Sequence, residues 1–389
     1  MSPVATATEH ALVNFAPPSI GQPEMDEVLA TMKSGWLTTG PRVKEFERQF
    51  ADYIGVDHAV AVNSCTAALH LALLASDIGA GDEVVTTPLT FCATANVVVH
   101  TGATPVFADI DRETGNLSPD AAAAAVGTNT RAIIPVHYAG RPADVRAFRS
   151  IANREDLVLI EDAAHAVETV AGGEKIGTTA DFSCFSFYAT KNLTTGEGGM
   201  LTTSSASGAE FARIAALHGM SRNAWNRYGK NGSPHYDVVM PGFKYNMMDL
   251  QAAIGLHQLA KLHRHLARRE AIWSLYDEAL AGLPITRPAP AAAGDVHARH
   301  LYTILVHPDS GWTRDGLSAV MAEQGIVTSI HFRALHLHPY YQDRFGLRRG
   351  MFPNAEYVSD HTLSLPLSGG MTDAEAGRVI DVLRGLIRG

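Results

Sequence analysis

The chain has 389 residues, enough for two or three domains with their own cores. Charged residues make up 18% and hydrophobic residues 46%, which is a globular composition, neither disordered nor fibrous. A formal net charge of -9 without any block of lysine or arginine argues against nucleic acid and anionic membrane as partners. The cysteines Cys65, Cys92 and Cys184 lack Cys-x-x-Cys spacing, against a disulfide framework and a zinc site alike. Met1 to His10 carries no basic stretch followed by an apolar one, and no apolar run approaches the roughly 18 residues of a membrane span, so a cytoplasmic protein is expected.

Residues 12–40, rich in proline, glycine and threonine, read as an extended arm. Pro41 then opens a helix with Val43, Phe46, Phe50 and Ile54 at helical spacing and Gly55 as its stop. Over 58–205 short apolar strands alternate with helices. The strands are 58–62, 82–85, 132–136, 157–160 and 182–185; the helices begin at Thr66, near Ala93 and at Pro142. Such alternation predicts an α/β fold with a mainly parallel sheet and helices on both faces. From Asp249 to Leu283 the pattern is a long, bent helix, and the alanine- and proline-rich 287–294 is a loop. Strands at 301–306 and 326–330 around a helix near 313–324, then a last helix from Thr372, make a smaller α+β unit. The expected division is an N-terminal arm at 1–40, a large domain at 41–255 and a small C-terminal domain at 256–389.

Asp162 ends the apolar run Leu157 to Glu161, and ligands of open α/β sheets gather beyond such strand ends. Lys191 follows the next strand, flanked by Phe187, Tyr188, Ala189 and Thr190 and not by charges. An amine for a Schiff base and a carboxylate for a pyridine nitrogen are the two parts pyridoxal phosphate requires. Partial burial favours the neutral amine. Asn63 to Leu69 joins a strand to a helix whose first turn is small and hydroxylated, a place for a phosphate, although a plain capped helix is the commoner reading. Phe91 lies beyond another strand end and can stack on a ring, with core packing the stronger alternative. His331, His336 and His338 have no metal-ligand spacing and read as substrate-loop or surface residues.

Taken together, Gly35 to Pro41, Asn63 to Leu69, Pro135 to Gly140, Glu161 to Ala166, Phe185 to Asn192, Gly242 to Asn246 and Ser364 to Leu367 resemble the pyridoxal-phosphate-dependent nucleotide-sugar aminotransferases. The similarity spans nearly the whole chain and is strongest to the members that make UDP-4-amino-4-deoxy-L-arabinose. It implies the type I (aspartate-aminotransferase) fold. It also implies that Lys191 is the Schiff-base lysine, Asp162 the partner of the pyridine nitrogen, His165 the contact to the phenolic oxygen and Phe91 the stacking ring. Thr66, Ala67 and Ser186 match phosphate contacts, and Asn246 a phosphate contact supplied by the neighbouring subunit of a homodimer. One departure stands out: Glu168 occupies a position where the family usually has glycine, which puts the local backbone near His165 in question.

The activity implied is transfer of an amino group from L-glutamate to the C4 keto group of a UDP- or TDP-linked 4-keto-sugar, in ping-pong fashion through pyridoxamine phosphate. Lysine at 191 disfavours the related dehydratases, which carry histidine there. Gly196-Glu197-Gly198-Gly199 resembles the C4-aminating group more than the C3-aminating one. A non-catalytic pyridoxal-phosphate-binding regulator is the alternative of another class, and it would call for a recognition domain and a basic face. Thr38 to Gly40, His331, Arg333 and Tyr340 are the expected sugar contacts.

Overall fold

The computed structural model describes residues 12–221 and 236–388; the reading of Met1 to His10 lies outside the described residues. The alternating segment forms a seven-stranded sheet in the order His58–Val62, Gly199–Thr203, Phe182–Ser186, Val158–Asp162, Thr130–Ile134, Glu83–Thr86, Thr104–Phe107. All pairings are parallel except the two made by Gly199–Thr203. Side chains alternate across the sheet: Leu159 packs with Phe148 and Phe185 on one face, Ile160 with Leu69 and Leu201 on the other. Helices Pro41–Ile54 and Val145–Glu155 cover the first face, Cys65–Ala75 and Ala206–Ala215 the second.

Beyond Asp249 the chain builds a three-stranded antiparallel sheet, Ile285–Thr286, Tyr302–Val306 and Thr362–Leu365. Its core includes Trp273, Tyr276, Tyr302, Leu363 and Leu383. The long helix breaks into Asp249–Leu259 and Leu262–Ala279. Among the described residues no helix is long and apolar enough to cross a membrane.

Three expectations need correction. The arm at 12–40 contains a helix, Gln22–Ser34; Pro23 fits its first turn, Glu24 reaches back to the Gly21 N–H at 3.0 Å, and Gly35 closes it with φ 73°. No strand forms at 326–330, where Ile326 and Ser329 make isolated bridges to Val13 and Ser364. The helix expected from Pro142 begins at Val145, because Asp144 caps it by accepting the Ala147 N–H at 3.0 Å. Thr104–Phe107 was hidden by Pro105, which is tolerated because this strand is the sheet edge.

Candidate active site

The parallel pairing of Val158–Asp162 with Phe182–Ser186 sets Asp162 opposite Cys184 and brings the segment bearing Lys191 back to the same sheet end. The Lys191 loop is a short excursion whose base is closed by Phe187 N–H to Gly198 O and Thr195 N–H to Phe187 O, both 2.9 Å. Phe187 anchors it, fully buried against Phe46 and Phe50 at 5.4 and 5.5 Å between ring centroids. Lys191 keeps a minority of its surface open to a cavity of about 600 Å³, while its amine lies deep enough for desolvation to dominate. Burial pulls the amine down to about 8, against the opposing influence of Cys65 and Asp162.

Asp162 is buried and held by neutral donors: the Thr94 hydroxyl at 2.8 Å and the Ala164 N–H at 3.1 Å. Thr94 is braced in turn by Thr90 at 2.8 Å. Burial raises the Asp162 carboxyl above its ordinary value despite these donors and the nearby Lys191 and His137. Such a site favours an added cation. His165 is buried too; burial, helped by Lys191, His300 and His331, holds it well below its ordinary value, and its Nδ1 has no hydrogen-bond partner.

The first turn of helix Cys65–Ala75 opens onto the same cavity through Ser64, Cys65 and Thr66. The Ser64 hydroxyl accepts the Ala67 N–H at 3.1 Å, so Ala67 is engaged in the cap and its side chain does not line the cavity. Gly199 lets the neighbouring strand pass close to this turn, since a Cβ there would sit 2.4 Å from the Ser64 carbonyl carbon and 2.6 Å from the Cys65 nitrogen.

Six of the predicted site residues, Thr66, Phe91, Asp162, His165, Ser186 and Lys191, therefore share one cavity. Phe91 is 60% exposed, so the core-packing alternative fails. Asn246 is absent from that cavity in its own chain: its Nδ2 donates to Thr39 Oγ1 and its Oδ1 accepts from Lys244 Nζ, both at 2.7 Å. Of the expected sugar contacts His331 lines the cavity, while Thr38 to Gly40, Arg333 and Tyr340 do not. His336 is buried against Glu356 at 3.0 Å, and among the described residues no group of side chains could hold a metal ion. Glu168 takes no left-handed backbone, so a side chain is tolerated there without strain.

Sequence reasoning did not single out Tyr188 and Phe332, which line the cavity, or Thr94 and His300, which stand behind Asp162 and His165. Thr94 sits in a stretch the sequence marked only for Phe91, and a hydroxyl one helical turn beyond Thr90 was its available signal. His300 carried no local signal, because its partners come from other parts of the chain.

Residues 18–384 match the DegT/DnrJ/EryC1/StrS aminotransferase family. The spore coat polysaccharide biosynthesis protein SpsC of Bacillus subtilis is 50% identical over 378 residues, 96% of this chain and 97% of its own length. Among solved structures, the proposed sugar aminotransferase Spr1654 of Streptococcus pneumoniae superimposes in its PMP form with a TM-score of 0.90 at 32% identity, covering 97% of this chain and 98% of its own. Its PLP form gives 0.90 at 33% identity. PseC of Helicobacter pylori, an aminotransferase involved in the biosynthesis of pseudoaminic acid, gives 0.89 at 28% identity, covering 97% of this chain and 99% of its own. The architecture is that of the type I pyridoxal-phosphate aminotransferases. The cavity suits that cofactor: a desolvated amine, a buried carboxyl lacking a cation, an orphaned imidazole nitrogen and a helix first turn are all present.

Proposed function

The chain belongs to the DegT/DnrJ/EryC1/StrS family of pyridoxal-phosphate-dependent sugar aminotransferases, and we propose that it moves an amino group from L-glutamate to the C4 keto group of a UDP- or TDP-linked 4-keto-sugar. The observation that carries this reading is the meeting of the Lys191 amine, the Asp162 carboxyl and the helix first turn at Thr66 in one cavity. The C4 assignment draws its support from Gly196 to Gly199, and the sugar class from relatives in polysaccharide and pseudoaminic acid biosynthesis.

Pyridoxal phosphate, when bound, takes up an amino group from one molecule and releases it to a ketone. In this reading Lys191 would attach the cofactor and, when free, would move protons at Nζ; burial, which lowers this amine from its ordinary value, favours the neutral form that can accept a proton. Asp162, fixed in direction by Thr94 and the Ala164 N–H, would hold the ring nitrogen in its protonated form. His165, which burial keeps neutral, would offer its orphaned Nδ1 to the phenolic oxygen. Phe91 would cover the ring, and Thr66 and Ser186, which line the cavity at the helix terminus, would bind the phosphate; Ala67, its N–H held by Ser64, would contribute only as part of the capped turn. Asn246 of the partner subunit would complete the phosphate site of a homodimer, a role supported by its not lining the cavity of its own chain.

The loaded protein should lose the absorbance of its lysine-bound cofactor on adding L-glutamate and regain it on adding a nucleotide 4-keto-sugar, with NMR placing the new amine at C4. Amination at C3, or deoxygenation without net transfer, would overturn the regiochemistry. Mixing Lys191→Ala with Asn246→Asp subunits tests the shared site. Random reassortment makes about half the dimers hybrid, each with one intact site, so about a quarter of wild-type activity returns. No recovery despite proven exchange would place Asn246 in its own chain's site or in none.

A further inference from the structure

Glu168 and Arg269 are both buried and paired. The other carboxylate oxygen of Glu168 accepts from Asn192 Nδ2 at 2.8 Å, and the same amide nitrogen donates to Ala298 O at 3.0 Å. Arg269 Nε reaches that carbonyl as well, at 3.2 Å. Asn192, the residue after Lys191, then presents Oδ1 to His300 Nδ1 at 3.0 Å. The His300 ring lies 4.3 Å from the His165 ring, centroid to centroid.

The direction of this chain is fixed by what each group can do. An ionised carboxylate and a carbonyl only accept, so two acceptors hold the Asn192 NH₂ and leave its oxygen to His300. Burial, with Lys191, His331, Arg269 and His297 around it, keeps His300 neutral. A neutral imidazole facing a carbonyl oxygen through Nδ1 must carry its proton there. Lys191 and His165 line the same cavity, and His300 lies directly behind His165.

We propose that Glu168 is a positioning residue: through the Asn192 amide it fixes His300 as the Nδ1–H tautomer, and so sets the dipole that lies against His165 in the wall of the Lys191 cavity. The proposal rests on reading Lys191 as the amine that carries the cofactor. Around Glu168 itself the charged or titratable neighbours are Arg269, Lys175 and Tyr53, and none of them can replace its role as acceptor to Asn192.

Glu168→Gln reverses the chain. Arg269 takes the new amide oxygen and the new NH₂ turns to Asn192; if Glu168 and not the Ala298 carbonyl sets the amide, Asn192 flips its own NH₂ toward His300, which must then carry its proton on Nε2. Asn192→Ala leaves the buried ion pair intact and removes the link, and it decides the matter should Glu168→Gln fail to fold. Two measurements apply. Histidine-selective nitrogen NMR of the apo protein reads the His300 tautomer directly, expected as Nδ1–H in wild type and Nε2–H in Glu168→Gln. The pH midpoint of the bound cofactor's absorbance, in the loaded protein, should move by about half a unit in each single variant and no further in the double, as expected of residues acting in series. An unchanged tautomer in Glu168→Gln, an unmoved midpoint in Asn192→Ala, or a double-variant shift equal to the sum of the singles would each overturn the proposal. Cofactor found on a lysine other than Lys191 would instead sink the functional reading, leaving the tautomer to decide the relay.

Discussion

Asp162 and Glu168 are buried carboxyls close together in the chain, and they are accommodated in opposite ways. Glu168 already has its cation, the Arg269 guanidinium, plus the Asn192 amide. Asp162 has only neutral donors, and burial drives its carboxyl above the ordinary range. A carboxylate left uncompensated in the interior is a standing cost unless a ligand brings the missing charge, so its persistence marks a receiving site. A carboxylate with a built-in cation marks a fixed part of the scaffold. Burial alone does not distinguish them; the partner list does.

The largest effect expected from this contrast is on turnover. Asp162→Asn removes the carboxylate proposed to hold the ring nitrogen and should lower kcat by about a thousandfold, measured under saturating substrate, while Glu168→Gln should retain far more activity. A loss in Asp162→Asn of less than tenfold would break the comparison.

Stability separates the two positions with opposite sign. Glu168→Gln strips a buried cation of its charge partner and should destabilise the apo protein by about 3 kcal/mol in denaturant unfolding. Asp162→Asn should leave the apo protein unchanged or more stable at neutral pH. The Asp162 carboxyl titrates higher in the folded state than in the unfolded one. Its stabilising contribution is present at low pH and lost as pH rises through the folded value, and asparagine does not suffer that loss.

Lys191 extends the comparison to a buried cation. Its folded value, about 8, lies below the ordinary 10.5, so protonation is penalised in the folded state throughout the range below about 8. Apo Lys191→Met should be more stable than apo wild type by roughly 2 kcal/mol at pH 7, after allowance for the open side of the cavity. The gap should close between pH 8 and 10.5 as the wild-type penalty disappears. A gap that is constant across that window would show that the amine is solvated.

The smallest effect expected is that of Thr94→Val. Removing the hydroxyl that aims Asp162 should weaken cofactor binding about tenfold, read by equilibrium titration of the apo protein, because one charge-assisted hydrogen bond is lost in a buried place.

The front of this site was legible in the sequence because its signals are local. Asp162 ends an apolar strand, Lys191 follows the next one between aromatic and small residues, and Thr66 opens a helix after a third. Each is marked by a periodicity that switches at a known place. The back of the site was not legible. Glu168, Arg269, Asn192 and His300 meet only after four separate segments have folded together, and a buried glutamate looks no different in sequence from a solvated one. The same distinction separates the elements: the parallel core followed from alternation, whereas 326–330 had strand composition but found only isolated bridges, and Gln22–Ser34 formed inside a segment whose prolines and glycines are its helix start and stop.

The central claim is that Lys191 is the amine that carries the cofactor, and borohydride reduction of the loaded protein followed by peptide mapping tests it most directly. The account predicts a single modified peptide with the reduced cofactor on Lys191, absent in Lys191→Ala. Label on Lys244, or on any other lysine, would contradict it.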